Sequence, residues 1–286
     1  MKEIAYAKIN LGLNILGKRN DGYHEVDMIM QSISLADEIE ITEAKELMVT
    51  TNKSTLPGDK DNLAWKAAEL LAKHLQKKPN VHISLTKNIF MAAGLAGGSS
   101  DAAAVLRGLN NFWQGNLRAE ELEELSAQLG SDVPFCIKGG TVRARAKGEV
   151  LSPLPDFPEK WLVLAKPKNI DVPTVWVYKN YKDAAVTKRP NIDSLVKAIE
   201  EQKADDVINN MENVLETVTI PAHPIIAEIK EKMEELGAIK SLMSGSGPTV
   251  FGFVENKNMA EKIAAKLKAA KDLEIAVART VRRREI

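Results

Sequence analysis

The first part of the chain alternates between apolar and polar residues, which predicts a long β-strand. Between residues 4 and 16 the apolar positions share one face of an extended segment that can be buried. These positions are Ala5, Ala7, Ile9, Leu11, Leu13 and Ile15. The opposite face carries Lys8 and Asn10 side by side. A lone lysine there fits a solvated strand face, whereas the neighbouring asparagine favours a polar pocket, and the pattern leaves both interpretations open.

Strand-like alternation and helical spacing follow one another along the rest of the chain, which predicts an α+β fold. Strands are predicted at residues 26–30, 81–89, 161–167 and 274–281, and a further hairpin at residues 37–50. Helices are predicted at residues 63–75, 101–111, 118–130, 193–217, 224–237 and 257–271. The residues after 167 are predicted to be extended, with Thr174, Trp176 and Tyr178 on one side.

Three prolines at positions 153, 155 and 158 interrupt the chain near its middle. Such a stretch is typical of a linker, so residues 151–160 are expected to join two domains. The predicted domains are residues 1–155 and residues 156–286.

Composition limits the classes of function that the chain can have. The 286 residues carry 39 basic and 39 acidic side chains, and only 5% are aromatic. A balanced charge with few aromatic rings argues against nucleic acid as a partner. No apolar run is long enough for a membrane span, and the single cysteine, Cys136, is expected to be a small core residue in a reducing compartment. We therefore expect a soluble cytoplasmic protein, either a monomer or a homodimer.

A glycine-rich loop between a predicted strand and a predicted helix is the strongest candidate for a binding site. Residues 90–101 contain Gly94, Gly97 and Gly98, followed directly by Ser99. Glycines let backbone N–H groups approach one point, and a helix N-terminus favours an anion there. The spacing fits neither a Walker loop nor a dinucleotide fingerprint. A serine-capped turn before a core helix explains the loop about equally well.

Other candidate residues lie at turns. Asp132 stands between a helix end and a proline turn, where a capping carboxylate or a functional one fits. Tyr23 and His24 follow an Asn-Asp-Gly turn. Their side chains either pack at the corner of a hairpin or bind a flat heterocyclic ligand. Close approach of the backbone to a ligand or to another loop would explain the turn at residues 244–248, and so would a plain turn between strands. The four histidines, at positions 24, 74, 82 and 223, are scattered, so no metal site built by the protein alone is expected.

Five separated motifs together resemble those of one enzyme family. Residues 7–13 (AKINLGL), 94–103 (GLAGGSSDAA) and 241–252 (SLMSGSGPTVFG) are similar to the three motifs of the GHMP kinases, which phosphorylate small alcohols. Residues 20–26 (NDGYHEV) and 129–136 (LGSDVPFC) narrow the resemblance to members that act on a cytidine-bearing alcohol. The likeness covers nearly the whole chain. One departure is Phe90, where the family usually has proline.

The resemblance implies a fold, a cofactor and a set of roles. It implies a ribosomal-S5-like N-terminal domain and a ferredoxin-like C-terminal domain with the site between them, and ATP with Mg²⁺ as the phosphoryl donor. Asp132 would be the catalytic base and Lys8 its cationic partner. The ATP phosphates would be bound by Phe90, Met91, Ala92, Ala93, Gly94, Leu95, Ala96, Gly97, Gly98, Ser99 and Ser100, with Ser244, Gly245, Ser246 and Gly247 as a supporting loop.

The same resemblance implies a binding site for the small-molecule substrate. Tyr23 and Tyr178 would sandwich the cytosine ring, and His24 would bind its polar edge. Asn10 and Thr174 would hold the chain of the substrate near the reacting hydroxyl. Trp176 competes with Tyr178 for the stacking role, because both are expected on one side of an extended segment.

Two alternatives to this function are considered. The chain could be another GHMP kinase that acts on a sugar or a mevalonate-like alcohol, although such substrates carry no cytosine to stack on residues 20–26. It could also be a catalytically silent nucleotide-binding homologue, although both Lys8 and Asp132 are present.

Overall fold

The computed structural model describes residues 1–269 and 272–286, and it is organised around two β-sheets. The first sheet is formed by β1 (Lys2–Lys18), β2 (His24–Glu43), β3 (Met48–Thr51), β4 (Val81–Thr86), β5 (Thr141–Ala146) and β6 (Val150–Pro153). The second contains β7 (Trp161–Pro167), β8 (Lys240–Met243), β9 (Val250–Val254) and β10 (Leu273–Arg279).

The helices lie between the strands. They are α1 (Leu63–His74), α2 (Gly97–Phe112), α3 (Ala119–Ser126), α4 (Val133–Lys138), α5 (Thr174–Asn180), α6 (Ile192–Glu200), α7 (Ala204–Asn209), α8 (Glu216–Ala222), α9 (Ile225–Glu235) and α10 (Lys257–Lys268). Asn62 caps α1 through its side chain, which accepts a hydrogen bond from the backbone N–H of Ala64 at 2.9 Å. Residues 270–271 of the predicted helix 257–271 lie outside the described residues.

A long antiparallel pair, β1 with β2, forms the spine of the first sheet. The strand predicted from alternation at residues 4–16 is confirmed, and its apolar face is buried in the core. The hairpin predicted at residues 37–50 is wrong. Residues 37–43 continue β2, where Ile39 and Ile41 stay buried, and β3 pairs in parallel with β4 instead.

The second sheet has the strand order β10-β7-β9-β8, and each neighbouring pair is antiparallel. Helices lie between β7 and β8, and α10 connects β9 to β10. A β-α-β-β-α-β succession with this order is the ferredoxin-like arrangement, which confirms that expectation. The polypeptide between β7 and β8 carries α5 to α9, which cover one side of the site described below.

Two predicted elements of this connecting region are wrong. The extended segment expected around residues 174–178 is helix α5, which begins after Pro173 in an extended conformation. The single helix expected at residues 193–217 is divided into α6, α7 and the start of α8. Gln202 adopts a left-handed φ of 57° between α6 and α7, so the helix cannot continue through it.

The proline-containing stretch at residues 151–160 is packed against the protein. It begins within β6, and Phe157 is buried while its backbone N–H donates to the Thr141 hydroxyl at 2.9 Å. The first sheet ends in the sequence with β6 and the second begins with β7. The domain boundary between residues 155 and 156 stays a prediction. Within the described residues, none of the helices has the length and apolar character needed to cross a membrane.

Candidate active site

Lys8 and Asn10, on the polar side of β1, are buried. Only 5% of Lys8 and none of Asn10 is exposed. The Lys8 amine donates to Oδ1 of Asn10 at 2.8 Å, and Nδ2 of Asn10 contacts the sulfur of Met28 at 3.3 Å. A buried ammonium group needs polar partners. The polar-pocket interpretation of this pair is therefore confirmed, and the solvated strand face is excluded.

The first glycine loop connects β4 to the N-terminus of α2 and is attached to β1 beside Lys8. The backbone N–H of Lys8 donates to the carbonyl of Leu95 at 3.1 Å, and the Ser100 hydroxyl donates to the carbonyl of Tyr6. Ala92, Gly94 and Ala96 have left-handed φ angles of 48°, 72° and 58°. Glycine adopts such a conformation freely, whereas an alanine keeps it only where the surrounding structure holds it, so packing and hydrogen bonds fix the loop at Ala92 and Ala96.

The second glycine loop, residues 244–247 between β8 and β9, packs directly on the first. The Ser244 hydroxyl donates to the carbonyl of Gly94 at 3.0 Å. From behind, Nδ2 of Asn213 donates to the carbonyls of Met243 and Gly245, each at 2.8 Å. A Cβ added to Gly245 would lie 3.3 Å from the Lys8 amine. The close approach between loops that the sequence suggested is confirmed, and Lys8 lies at their junction.

We expect Gly94→Ala to destabilise the fold by about 2–4 kcal/mol. The new Cβ would lie 2.2 Å from the carbonyl oxygen of Ser244, and the φ of 72° disfavours any side chain. Thermal unfolding measures the effect. Gly98→Ala is the matched control, because its Cβ would meet only Leu63 at an ordinary 3.5 Å. Equal melting temperatures for the two variants would contradict the loop packing.

Asp132 occupies the N-cap position of α4, yet its side chain caps nothing. It makes no capping hydrogen bond, and among the described residues it forms no other hydrogen bond or ion pair. The interpretation of Asp132 as a capping aspartate therefore fails. Its carboxylate is left with free acceptor positions.

The charges of Asp132 and Lys8 both act on the Cys136 thiol, in opposite directions. Burial, followed by the negative charge of Asp132, raises the pKa of the Cys136 thiol to about 12, and the positive charge of Lys8 opposes that rise. Burial and then the Asp132 charge also raise the pKa of Tyr178. The charge of Asp132 is therefore felt both at Cys136 and at the hydroxyl of the predicted substrate-binding tyrosine.

The rings of His24, Tyr178 and Tyr181 form an aromatic group. The His24 and Tyr178 rings are 5.4 Å apart between centroids, and Tyr181 meets His24 edge-on at 6.0 Å. Burial, followed by the charge of Lys18, lowers the pKa of His24, so its imidazole is neutral near pH 7. A neutral imidazole offers one hydrogen-bond donor and one acceptor, which suits the polar edge of a nucleobase.

Tyr23 and Trp176 lie apart from this aromatic group. Tyr23 is 60% exposed, and the Lys147 amine lies 5.1 Å from its ring centroid. The sandwich of Tyr23 with Tyr178 stays a prediction. The shared face of Trp176 and Tyr178 is wrong, because α5 is a helix in which residues two apart point in different directions. Trp176 is instead 6.5 Å from the ring of His223.

Thr174, one helical turn before Tyr178, connects α5 to the second glycine loop. Its hydroxyl lies 3.0 Å from the hydroxyl of Ser246. The Ser246 carbonyl accepts a hydrogen bond from Thr219 at 3.1 Å. In the part of the chain that the structure describes, no group of three or more His, Cys, Asp or Glu side chains is arranged to hold a metal ion.

Two segments of the chain match models of one protein family. Residues 62–140 match the model for the GHMP kinases N terminal domain, and residues 191–272 match the model for the GHMP kinases C terminal domain. The chain belongs to the GHMP kinases. Its two-domain α+β fold, with an S5-like N-terminal and a ferredoxin-like C-terminal domain, is thereby confirmed. The chain is therefore an ATP-dependent kinase.

Individual relatives of this GHMP kinase narrow its place in the family. It is 49% identical over 263 residues to a 4-diphosphocytidyl-2-C-methyl-D-erythritol kinase from Bacillus velezensis, covering 91% of this chain and 90% of the relative. A crystal structure of 4-(cytidine 5'-diphospho)-2C-methyl-D-erythritol kinase matches with 32% identity and a TM-score of 0.84, over 98% of this chain and 99% of that one. The crystal structure of homoserine kinase from Cytophaga hutchinsonii matches with 18% identity and a TM-score of 0.73, over 98% of this chain and 94% of that one. At this identity the match shows a shared fold and nothing more.

Two residues of this GHMP kinase that shape the site were not predicted from the sequence. Tyr181, the C-terminal cap of α5, follows Tyr178 by three residues, a spacing that indicates a shared side only once the helix is known. Asn213 carries no local signal, because its partners, Met243 at the end of β8 and Gly245 in the second glycine loop, lie 30 and 32 residues further along the chain.

Proposed function

We propose that this GHMP kinase transfers the γ-phosphoryl group of ATP to the 2-hydroxyl of 4-diphosphocytidyl-2-C-methyl-D-erythritol in non-mevalonate isoprenoid precursor biosynthesis. The products are the 2-phosphate and ADP. The observation that carries the proposal is the 49% identity of the chain, over 91% of its length, to a 4-diphosphocytidyl-2-C-methyl-D-erythritol kinase. The geometry is consistent with it, because Lys8 lies at the junction of the two glycine loops and the His24 and Tyr178 rings are 5.4 Å apart. These features suit a ligand with a cytosine ring at one end and an alcohol at the other.

The proposed reaction is a direct in-line displacement. The 2-hydroxyl oxygen forms a new bond to the γ-phosphorus, and the bond from that phosphorus to the bridging oxygen breaks, so that ADP leaves with its electron pair. The hydroxyl proton moves to the Asp132 carboxylate. A general base of this kind contributes on the order of 10²–10⁴ in rate. The Lys8 amine stabilises negative charge that develops on the oxygens during the transfer.

The first glycine loop and the N-terminus of α2 are proposed to bind the triphosphate. Backbone N–H groups from residues 94–100 and the helix dipole favour an anion at this end. Mg²⁺ is usually held by substrate phosphate oxygens together with one or two carboxylates, which needs no cluster of three or more acidic side chains, and none is found among the described residues. When bound, it neutralises charge on the phosphates.

The aromatic group is proposed to hold the cytosine ring. We expect Tyr178→Ala to raise the KM for the cytidine substrate by about 10-fold or more, because stacking a base on an aromatic ring is worth ~1–3 kcal/mol. The KM for ATP should stay within about twofold. Trp176→Ala serves as the control, since this ring contacts His223 instead. A larger effect of Trp176→Ala on the KM for the cytidine substrate would contradict the assignment.

Substrate-dependent ADP release tests the proposed function. The purified protein with Mg²⁺ and ATP should form ADP rapidly only when 4-diphosphocytidyl-2-C-methyl-D-erythritol is added. Mevalonate, homoserine and galactose are the competing alcohols in the same assay. Faster turnover with one of these would overturn the substrate assignment, and ATP binding without turnover on any alcohol would favour a silent homologue.

A further inference from the structure

A buried cluster of three charged residues lies beneath the first glycine loop. The Lys87 amine forms ion pairs with the carboxylates of Asp37 and Asp101 at once. None of the three is more than 5% exposed. They come from the second half of β2, the residue after β4 and the first turns of α2. None belongs to the residues assigned above to phosphate or substrate binding.

The cluster joins the two ends of the glycine loop. On the entry side, Oδ1 of Asp37 accepts hydrogen bonds from the backbone N–H groups of Asn88 at 2.6 Å and Ile89 at 2.8 Å. On the exit side, Asp101 follows the loop within α2. The Lys87 amine lies 3.7 Å from where a Cβ on Gly97 would stand. The charges of the cluster are therefore close to the backbone that is proposed to bind phosphate.

The charges of the cluster do not balance when both carboxylates are ionised. One ammonium group faces two carboxylates, which leaves one net negative charge in a buried place. Asp37 is well satisfied by Lys87 and two backbone N–H groups, whereas Oδ1 of Asp101 is buried with no hydrogen-bond partner. Asp101 is thus the carboxylate that gains most from a proton. Burial raises its pKa to about 7, the charge of Asp37 adds to the rise, and Lys87 opposes it.

Other charged groups on the elements packed against α2 have their own partners or face solvent. On β2, Asp27 pairs with Arg143 at 2.7 Å, and Glu38, Glu40 and Glu43 are exposed. On β1, Glu3 pairs with Arg107 at 3.5 Å and Lys8 donates to Asn10; on α4, Lys138 pairs with Glu123 of α3 and Cys136 is neutral; on α1, Lys66, Glu69 and Lys73 are exposed. None of these forms an ion pair with Asp101 among the described residues. Lys87 and Asp37 are the groups that decide its protonation.

We propose that Asp101 takes up a proton when a nucleotide binds, so that the cluster beneath the phosphate loop becomes electrically neutral. The inference rests on the proposed binding of ATP at this loop. Unprotonated Asp101 leaves a negative charge near the negative phosphates, which weakens binding. Coulomb's law at an effective dielectric constant of about 20 and a separation of roughly 10 Å gives an effect on the order of tenfold for a ligand of one net charge.

The sign of the pH dependence follows from this coupling. Nucleotide binds best below pH 7, where Asp101 already carries its proton. Affinity falls as the pH rises through the pKa of Asp101, because the proton must then be recovered from solvent. MgADP is a suitable probe, since it occupies the phosphate loop without turnover and its phosphates are ionised over the pH range tested.

Calorimetric titration of the wild-type protein with MgADP gives the first test. At pH 7.5, titrations in two buffers of different ionisation enthalpy should show uptake of about half a proton per nucleotide. The Kd should rise about tenfold from pH 6.5 to pH 9. Binding without proton uptake and with a constant Kd would overturn this inference and leave the proposed function standing. An absence of MgADP binding would overturn both.

The Asp101→Asn variant gives the second test. Asparagine copies the shape of protonated Asp101 and cannot ionise, so the Kd for MgADP should become independent of pH and proton uptake should vanish. Above pH 8.5 the variant should bind MgADP about tenfold more tightly than the wild type. The control is Asp205→Asn, which removes a 76% exposed carboxylate paired with Lys160. Persistence of the proton uptake in Asp101→Asn, or weaker binding than wild type at high pH, would overturn the proposal.

Discussion

Replacing Asp132 by asparagine will lower kcat by about 10²–10⁴ and leave the affinity for MgATP nearly unchanged. Asparagine keeps the size of the side chain but cannot accept the hydroxyl proton. The carboxylate supports no structural hydrogen bond or ion pair among the described residues, and it caps no helix N–H. The variant should therefore fold normally, and its loss should be confined to the phosphoryl-transfer step.

The Asp132 prediction is checked by single-turnover kinetics together with thermal unfolding. Single turnover separates chemistry from product release, which can limit kcat in kinases. Asp205→Asn is again the control, because it replaces an exposed carboxylate by the same carboxamide group. A rate of single turnover close to that of the wild type, in a protein with an unchanged melting temperature, would show that Asp132 is not the base.

Replacing Lys8 by methionine will lower kcat by about 10²–10³, which is the usual loss for one group that stabilises transition-state charge. The KM for ATP should change by less than about threefold, because Lys8 lies at the junction of the two loops beside Asn10 and Gly245, and its proposed role is at the reacting oxygen. Methionine fills a similar volume and removes the charge.

The Lys8 change also has a structural cost that a control must measure. It leaves the buried Oδ1 of Asn10 without its donor, which costs ~1–3 kcal/mol. Lys166→Met is the matched variant, because Lys166 is also buried, and it pairs with Asp171 in the second half of the chain. Both variants should lose stability, and Lys8→Met alone should lose turnover. A rise in the KM for ATP with normal kcat in Lys8→Met would refute the role at the acceptor.

Local sequence patterns predict the parts of this site that depend on neighbouring residues. Alternation in β1 predicted the strand that carries Lys8 and Asn10, and the glycine spacing predicted a loop before α2. Whether the polar side of β1 faces water was not predictable, because the residues that cover it lie in the second glycine loop, far along the chain. Whether Lys8 and Asn10 face solvent or line a pocket depends on tertiary packing.

Helix α5 shows how local propensity can mislead. Residues 174–178 are β-branched and aromatic, a composition that favours strands. In the fold, Pro173 precedes the first turn and Val177 is fully buried while Val175 is 80% exposed, which is the one-sided burial of a helix. Thr174 and Tyr178 consequently share a face at a spacing of four residues. The roles that the resemblance implies for both residues are compatible with the helix and stay predictions, although the extended segment expected around them was wrong.

The buried cluster of Asp37, Lys87 and Asp101 marks the limit of inference from a single sequence. The three positions are separated by 50 and 14 residues, and each reads alone as an ordinary surface charge. Only the pairing of β2 with β4, and the packing of α2 over them, brings the carboxylates of Asp37 and Asp101 to the Lys87 amine.

A crystal structure with a non-hydrolysable ATP analogue and 4-diphosphocytidyl-2-C-methyl-D-erythritol would test the central claim most directly. We expect the 2-hydroxyl oxygen of the substrate to lie within about 2.6–3.2 Å of the Asp132 carboxylate, with the Lys8 amine beside it and the γ-phosphorus in line. A 2-hydroxyl that contacts neither side chain, or a triphosphate bound away from residues 90–100, would contradict the account.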